Sequence, residues 1–308
     1  MVVDKFAKLF CKKKNRHNKC HPQPNEELSS SSLHAFHSHV SKHINQLAVE
    51  LKPESENLSL SWFLRCFGLF PIIDKAFAKL VMDIDYPMSQ WDADSIEGYL
   101  NYTMNLLELL NSISSSLSHL SHARLSLAHG LTLMEKEKSL SLARKHLKAI
   151  KPAGCFSTNF GKSFHTEDHK AKIFSGKQLI VHEGVKEMKS IGFWVCGVLL
   201  SCLYGDFKPY LELRKIVGGF DGSLVATLDS KISEKIVKNK LNFSEIEEIN
   251  NFVAHLVAGD DDDADKELQR KLCEFEKLFG DISKEVDHLF DDVMSQRSKL
   301  IDGFRLKK

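Results

Sequence analysis

The sequence predicts an all-α fold, an elongated antiparallel bundle of long helices that pack along coiled-coil-like seams. Apolar residues recur at alternating spacings of four and three in two long stretches, 99–134 and 264–304. That pattern keeps one stripe of a helix against a partner helix. The 308 residues include only 7 prolines, and the β-branched residues form no alternating runs, which argues against a sheet. At 1.5 Å per residue, each long helix would reach roughly 50–60 Å.

The composition is typical of a soluble globular protein and excludes a broad basic field. Hydrophobic residues make up 43% of the chain, and 42 lysines and arginines against 41 acidic residues leave a net charge of +1. We therefore predict no nucleic-acid partner. The seven cysteines are odd in number and have no C-x-x-C spacing. Free thiols in a reducing compartment are the simplest explanation, and we predict a cytoplasmic protein.

Residues 1–25 are predicted to be a basic, disordered tail ahead of a single helical body, 26–308. A membrane-surface anchor is the alternative, because apolar side chains precede a lysine cluster that would attract anionic lipid. In that case an acyl chain could be attached to Cys11. Plastid targeting is disfavoured, since Asp4 is present and serine and arginine are not enriched. The candidate membrane contacts are Phe6, Leu9, Phe10, Lys12, Lys13 and Lys14.

The first helix is predicted over 26–52, with Pro53 ending it. Its four histidines, His34, His37, His39 and His43, resemble metal ligands by type, but no Cys, Asp or Glu lies at a matching spacing. We interpret them as a solvated histidine-rich face.

A second helix is predicted over 57–83, with Ser59 or Ser61 as its cap and a kink or break near Phe70 caused by Pro71. In the loop 83–94, Ser89 or Asp92 is positioned to cap the next helix, and Trp91 to pack against its entry.

The helix 99–134 organises the chain. One polar residue, Arg124, interrupts its seam, and packing within one chain is favoured over an intermolecular coiled coil. The seam consists of Leu106, Leu110, Ile113, Leu117, Leu120, Leu127, Leu131 and Met134.

A turn-like stretch, 151–169, is predicted to join two halves, 26–150 and 170–308, that pack as one body. Gly161-Lys162-Ser163 resembles the end of a phosphate-binding loop, but Phe156 occupies the position where that loop requires glycine. No nucleotide or other cofactor is therefore predicted.

Residues 191–204 form an uncharged apolar run of about fourteen residues, whereas a spanning helix needs about 20. A buried central helix is therefore favoured over a tilted or re-entrant membrane segment. Asp260 to Asp263 lack the alternating ligands and central glycine of a calcium loop. The last helix, 264–304, carries the second seam, in which only Gln296 is polar and Gly280 is the weak point.

Several blocks of sequence in order resemble the plant BYPASS family. They are LSLSW at 58–62, DIDYPMSQWD, YLNYTMNLLELLNSISSSLSHL and LSLAHGLTLME in the organising region, and KEVDHLFDDVMSQR near the end. The resemblance implies a long α-helical plant protein with a role in root and shoot development, restraining a mobile root-derived signal that arrests shoot growth. It implies no catalytic residues.

Three functions remain open on the sequence. The favoured hypothesis is a non-enzymatic regulatory or interaction protein with protein partners. The alternatives are a membrane-associated helical adaptor in stress signalling and an enzyme acting on a lipophilic signal precursor. No catalytic, cofactor-binding or metal-ligating residue is predicted, because no nucleophile–base set or paired carboxylates stand out.

Overall fold

The computed structural model describes residues 25–51, 57–137, 140–152, 176–237, 242–258 and 264–305. Within these ranges the chain is helical and has no strand; Leu58 and Phe243 form one isolated parallel bridge. The all-α prediction is confirmed. The helices, beside a short 3₁₀ turn at Met88–Gln90, are α1 (Asn25–Glu50), α2 (Leu60–Phe67), α3 (Leu69–Asp83), α4 (Ala93–Glu137), α5 (Leu140–Ala143), α6 (Lys177–Tyr204), α7 (Lys208–Ile216), α8 (Ala226–Val237), α9 (Ser244–Ala258) and α10 (Ala264–Arg305).

The two predicted seams, on α4 and α10, pack against each other within one chain. Their polar interruptions show the direction of the pair. The Tyr99 hydroxyl donates to Oε1 of Gln296 at 3.1 Å, and Arg124 pairs with Glu276 at 3.1 Å. Residue numbers thus rise along α4 as they fall along α10, so the helices are antiparallel, and each polar interruption finds a partner on the opposite helix.

The apolar run 191–204 belongs to α6, which lies at the centre of the bundle. Twenty of its 28 residues are buried, including every residue from 191 to 203. The helix packs against α4, α7, α3, α1 and α2. It is long and apolar enough to cross a membrane, but 89% of its most apolar window is buried inside the protein. Neighbouring helices therefore cover the surface that lipid would otherwise cover.

Two glycines of α6 allow this close packing. A Cβ atom on Gly184 would lie 2.8 Å from Cε2 of Phe77 in α3. A Cβ atom on Gly197 would lie 3.1 Å from Cδ1 of Leu213 and 3.3 Å from the Tyr210 Cα in α7. Contacts this short mean that a larger residue at either position would force a neighbouring side chain or helix to shift.

The helix predicted over 57–83 is divided at Gly68, two residues before the expected break. Pro71 lies in the first turn of α3, where the missing N–H would have had no intrahelical partner. The proline is therefore compatible with the helix start, and α2 and α3 meet at the glycine. Ser59 caps α2 as predicted, its hydroxyl accepting from the Trp62 amide at 3.2 Å.

The predicted entry to the organising helix is confirmed in detail. Asp92 accepts from the Ser95 amide at 3.0 Å and so caps α4. The Trp91 indole donates to the Tyr86 carbonyl at 3.0 Å and packs edge-on against Phe77. The start of α4 is thereby fixed against α3.

Candidate functional site

A concave surface of about 1010 Å³, here called the α1–α3 groove, lies between residues 32–42 of α1 and residues 75–83 of α3. Glu50 at the end of α1 pairs with Arg65 of α2 at 2.9 Å, and the Trp62 indole of α2 donates to the Leu47 carbonyl at 3.3 Å. Because α2 leads directly into α3, α1 and α3 run antiparallel. Lys42 of α1 therefore lies at the same end of the groove as Lys75 of α3.

The floor of the groove is apolar. Phe36 and Leu80 line it and are only 2% and 1% exposed. Ala76 and Ala78 line the α3 side, and their short side chains leave the space that larger residues would fill. Met82, at the edge, is 56% exposed. The floor can therefore accept hydrocarbon, which gains free energy when it leaves water.

The rim of the groove is cationic. Three lysines, Lys42, Lys75 and Lys79, line it against a single carboxylate, Asp83. Asp83 pairs with Lys79 at 3.6 Å. Among the residues that the structure describes, Lys42 and Lys75 form no ion pair, and both are exposed. The end of the groove that faces α2 thus carries two uncompensated positive charges, which favour an anion there.

The histidine-rich face lies partly on this rim. His34 and His39 are exposed and line the groove, and the His39 and His43 rings meet edge-on at 5.3 Å. Burial lowers the pKa of His37, an effect that Glu183 opposes. Across the described part of the chain, no group of three or more His, Cys, Asp or Glu side chains is arranged to hold a metal ion.

A buried polar cluster joins α6, α7 and α8 around the Asp229 carboxylate, which is 3% exposed. Oδ1 accepts from the Trp194 indole at 3.1 Å and from the Tyr210 hydroxyl at 2.5 Å. Oδ2 accepts from the Arg214 guanidinium at 2.6 Å. Arg214 also reaches the exposed Asp221 at 3.4 Å.

This cluster has the properties of a structural joint. One donor comes from α6 and two come from α7, and all three bind the same carboxylate on α8. Burial raises the pKa of Tyr210, and its bond to Asp229 raises the pKa further, so its hydroxyl remains a donor. Because the carboxylate is occupied by three donors, we interpret the cluster as fastening α7 and α8 to the central helix.

A second ionisable group, Asp74, is placed where α3 meets α10. Its Oδ2 accepts from Nε2 of Gln296 at 3.4 Å. Burial raises the pKa of Asp74 to about 7, and the Gln296 hydrogen bond only partly offsets that rise. The carboxyl is therefore poised to ionise near neutral pH.

The Asp74→Asn variant is expected to weaken the dependence of stability on pH. Because the pKa of Asp74 is raised in the folded protein, the folded state holds an extra proton between about pH 4 and pH 7. That contribution to stability is present at low pH and is lost as the pH rises through 7. Urea unfolding of both proteins at pH 5 and pH 8 measures the effect. An equal fall in stability in wild type and variant would contradict the assignment.

The sequence-predicted site residues lie outside the described part of the chain. Phe6, Leu9, Phe10, Cys11 and the lysines Lys12, Lys13 and Lys14 all precede residue 25. The groove and the Asp229 cluster were not predicted as sites. One signal could have drawn attention to the groove: Lys75 and Lys79 lie four residues apart on one face of α3, beside Ala76 and Leu80.

The chain is similar in sequence to three plant proteins. It is 26% identical over 183 residues to UPF0496 protein 4 from Oryza sativa subsp. japonica and from subsp. indica, an alignment covering 54% of this chain and 40% of each rice protein. It is 24% identical to "Protein BPS1, chloroplastic" from Arabidopsis thaliana over 314 aligned positions, covering 91% of this chain and 86% of that protein.

These matches confirm the resemblance to a BYPASS-like plant family. The chain spans about two fifths of the rice proteins and most of the Arabidopsis protein. No protein-family model matches the sequence. No solved structure matches it.

Proposed function

We propose that this chain, a distant relative of the BYPASS-like proteins of plants, is a non-enzymatic regulatory protein that works by binding and acts in root and shoot development. The sequence relationship extends over 91% of the chain, which supports a role shared with the family. The family resemblance implies restraint of a mobile root-derived signal that arrests shoot growth.

The α1–α3 groove is the observation that carries this proposal. It combines a deep apolar floor with an unpaired cationic end, a combination typical of binding sites, in which a few polar groups orient an apolar ligand. The Asp229 cluster, by contrast, has its carboxylate occupied by donors from the same chain. Binding at the groove therefore supplies the regulatory step, and the rest of the bundle fixes the positions of α1 and α3.

The proposal is tested by restoring the protein to plants that lack it. Loss of the gene is expected to restrict shoot growth, and the wild-type chain is expected to restore it. Ala35→Trp places a bulky ring in the groove from an exposed position, so it should accumulate normally and fail to restore growth. Its matched control is Ala258→Trp at the end of α9, outside the groove.

Full restoration by the groove-filled variant would contradict binding at this site. Turnover of a defined small molecule by the purified protein would contradict the non-enzymatic part of the proposal, and would favour an enzyme acting on a signal precursor. The two outcomes can be distinguished, because restoration of growth by Ala35→Trp tests binding at the groove, whereas turnover tests for enzyme activity.

A membrane-associated adaptor is the second candidate, and the basic cluster at Lys12, Lys13 and Lys14 favours it. In this form the protein is cytoplasmic and held at an anionic surface by charge, while α6 stays inside the bundle. Washing plant membranes with high salt should release such a protein. Replacing the three lysines by alanine should leave it in the soluble fraction. Resistance to salt and to alkaline carbonate would instead indicate insertion into the bilayer or an acyl chain.

A further inference from the structure

We propose that the α1–α3 groove binds a free single-chain amphiphile with an anionic head group, such as a fatty acid. Its hydrocarbon chain would lie along the floor formed by Phe36 and Leu80, and its anion would lie between Lys42 and Lys75. This inference rests on the proposed function, and it specifies the class of ligand that the binding protein takes.

Charge fixes the orientation of the ligand. Lys42 and Lys75 lie at the end of the groove that faces α2, because α1 and α3 are antiparallel. Asp83 belongs to the opposite end, where its carboxylate would repel an anion. Each lysine can donate charge-assisted hydrogen bonds to the head group. The head group therefore binds near α2, and the tail points toward Met82.

The length of the groove suits one extended hydrocarbon chain. The residues of α1 that line the groove run from Ser32 to Lys42, a length of about 15 Å at the rise of an α-helix. That length suits an extended chain of medium size. The volume of about 1010 Å³ is larger than one such chain fills, so the chain would share the open groove with water.

A macromolecular partner fits less well. An α-helix with its side chains is about 10–12 Å across, so it would contact mainly the rim, where Lys42, Lys75 and Lys79 offer charge rather than an apolar surface. The basic segment at Lys12, Lys13 and Lys14 has the same sign of charge as the rim and would be repelled. The acidic stretch 260–263 of a second copy offers charge but no hydrocarbon. A membrane surface is flat and would not enter a groove.

The test is a displacement assay on the full-length protein in detergent-free buffer. The probe is 11-(dansylamino)undecanoic acid, whose fluorescence rises on entering an apolar site. Dodecanoate should displace it, dodecanol should require about tenfold more, and butyrate should not compete, because only dodecanoate has both the chain and the charge.

Three variants locate the site. Lys42→Gln with Lys75→Gln should weaken dodecanoate binding about tenfold and leave dodecanol unchanged. Ala35→Trp should abolish binding of both. Lys145→Gln with Lys277→Gln removes the same charge from exposed positions outside the groove and should change neither. Circular dichroism spectra that match the wild type ensure that a loss reflects the groove.

Absence of saturable binding would overturn the inference, as would equal affinity in the wild type and both groove variants. Binding only to vesicles of anionic lipid, without displacement by dodecanoate, would assign the lysines to a membrane surface and overturn it too. So would displacement by a tetra-aspartate peptide alone, which would point to an acidic protein partner. If dodecanoate does not bind but Ala35→Trp still fails to restore plant growth, the amphiphile is rejected. The proposed binding function at the groove then still stands.

Discussion

Replacing Asp229 by alanine is expected to lower the free energy of unfolding by about 3–5 kcal/mol. The substitution removes the acceptor of the Trp194 indole, the Tyr210 hydroxyl and the Arg214 guanidinium in one step. The carboxylate is almost wholly buried, so water cannot readily replace it. The loss should also loosen α8 from α6 and α7, because all three donors come from those two helices and end on the Asp229 carboxylate of α8. Urea unfolding followed by circular dichroism measures the change.

Asp221 provides the matched control, because it contacts the same arginine from the surface. Its carboxylate is 89% exposed and lies 3.4 Å from Arg214. The Asp221→Ala variant should therefore cost less than about 1 kcal/mol, as expected for a solvated ion pair. Equal losses from the two variants would show that Asp229 does not act as a buried joint.

Gly184→Val is expected to destabilise the fold by about 3 kcal/mol, at the upper end for overpacked cores. The first added atom already lies 2.8 Å from the Phe77 ring and 3.2 Å from Leu80. The ring cannot move away easily, since it stacks on Tyr99 at 6.3 Å and meets Trp91 at 6.1 Å. α6 and α3 must therefore separate. Thermal unfolding of the purified variant reports the loss.

A glycine-to-valine substitution on α10 serves as the control, because it changes helix propensity in the same way without crowding a neighbouring helix. A Cβ atom added at Gly280 meets no atom within 4 Å. Valine is a somewhat better helix former than glycine, so Gly280→Val should change stability by no more than about 0.5 kcal/mol and slightly favour the fold. A loss at Gly280 as large as that at Gly184 would mean that glycine is required for backbone reasons in both helices.

Periodicity made the long helices predictable. The seam of α4 needs only local sequence to be recognised, and its residues from Leu106 to Leu131 are buried as expected. Each helix cap was predicted as one of two residues, because Ser and Asp side chains readily accept from the first backbone amides of a helix. The structure selects Ser59 and Asp92. The break in the second helix was placed two residues late, since Pro71 is tolerated in a first turn and Gly68 is the actual junction.

The groove and the buried joint could not be predicted in the same way. Lys42 and Lys75 are 33 positions apart, and only the antiparallel arrangement of α1 and α3 brings them to one end of a groove. Asp229, Arg214 and Trp194 come from three helices, and none of the three stands out locally. For residues 191–204, composition alone left two environments open. The distinction depends on how many helices surround the segment, which is a tertiary property.

We conclude that α6 is the core of a folded helical body in water, and hydrogen exchange can test this conclusion. In detergent-free buffer, the amides of residues 191–203 should be the slowest to exchange in the chain, because they open only when the whole bundle unfolds. Exchange within minutes in buffer, with protection gained only when lipid vesicles or detergent are added, would contradict the claim and place this helix in the membrane.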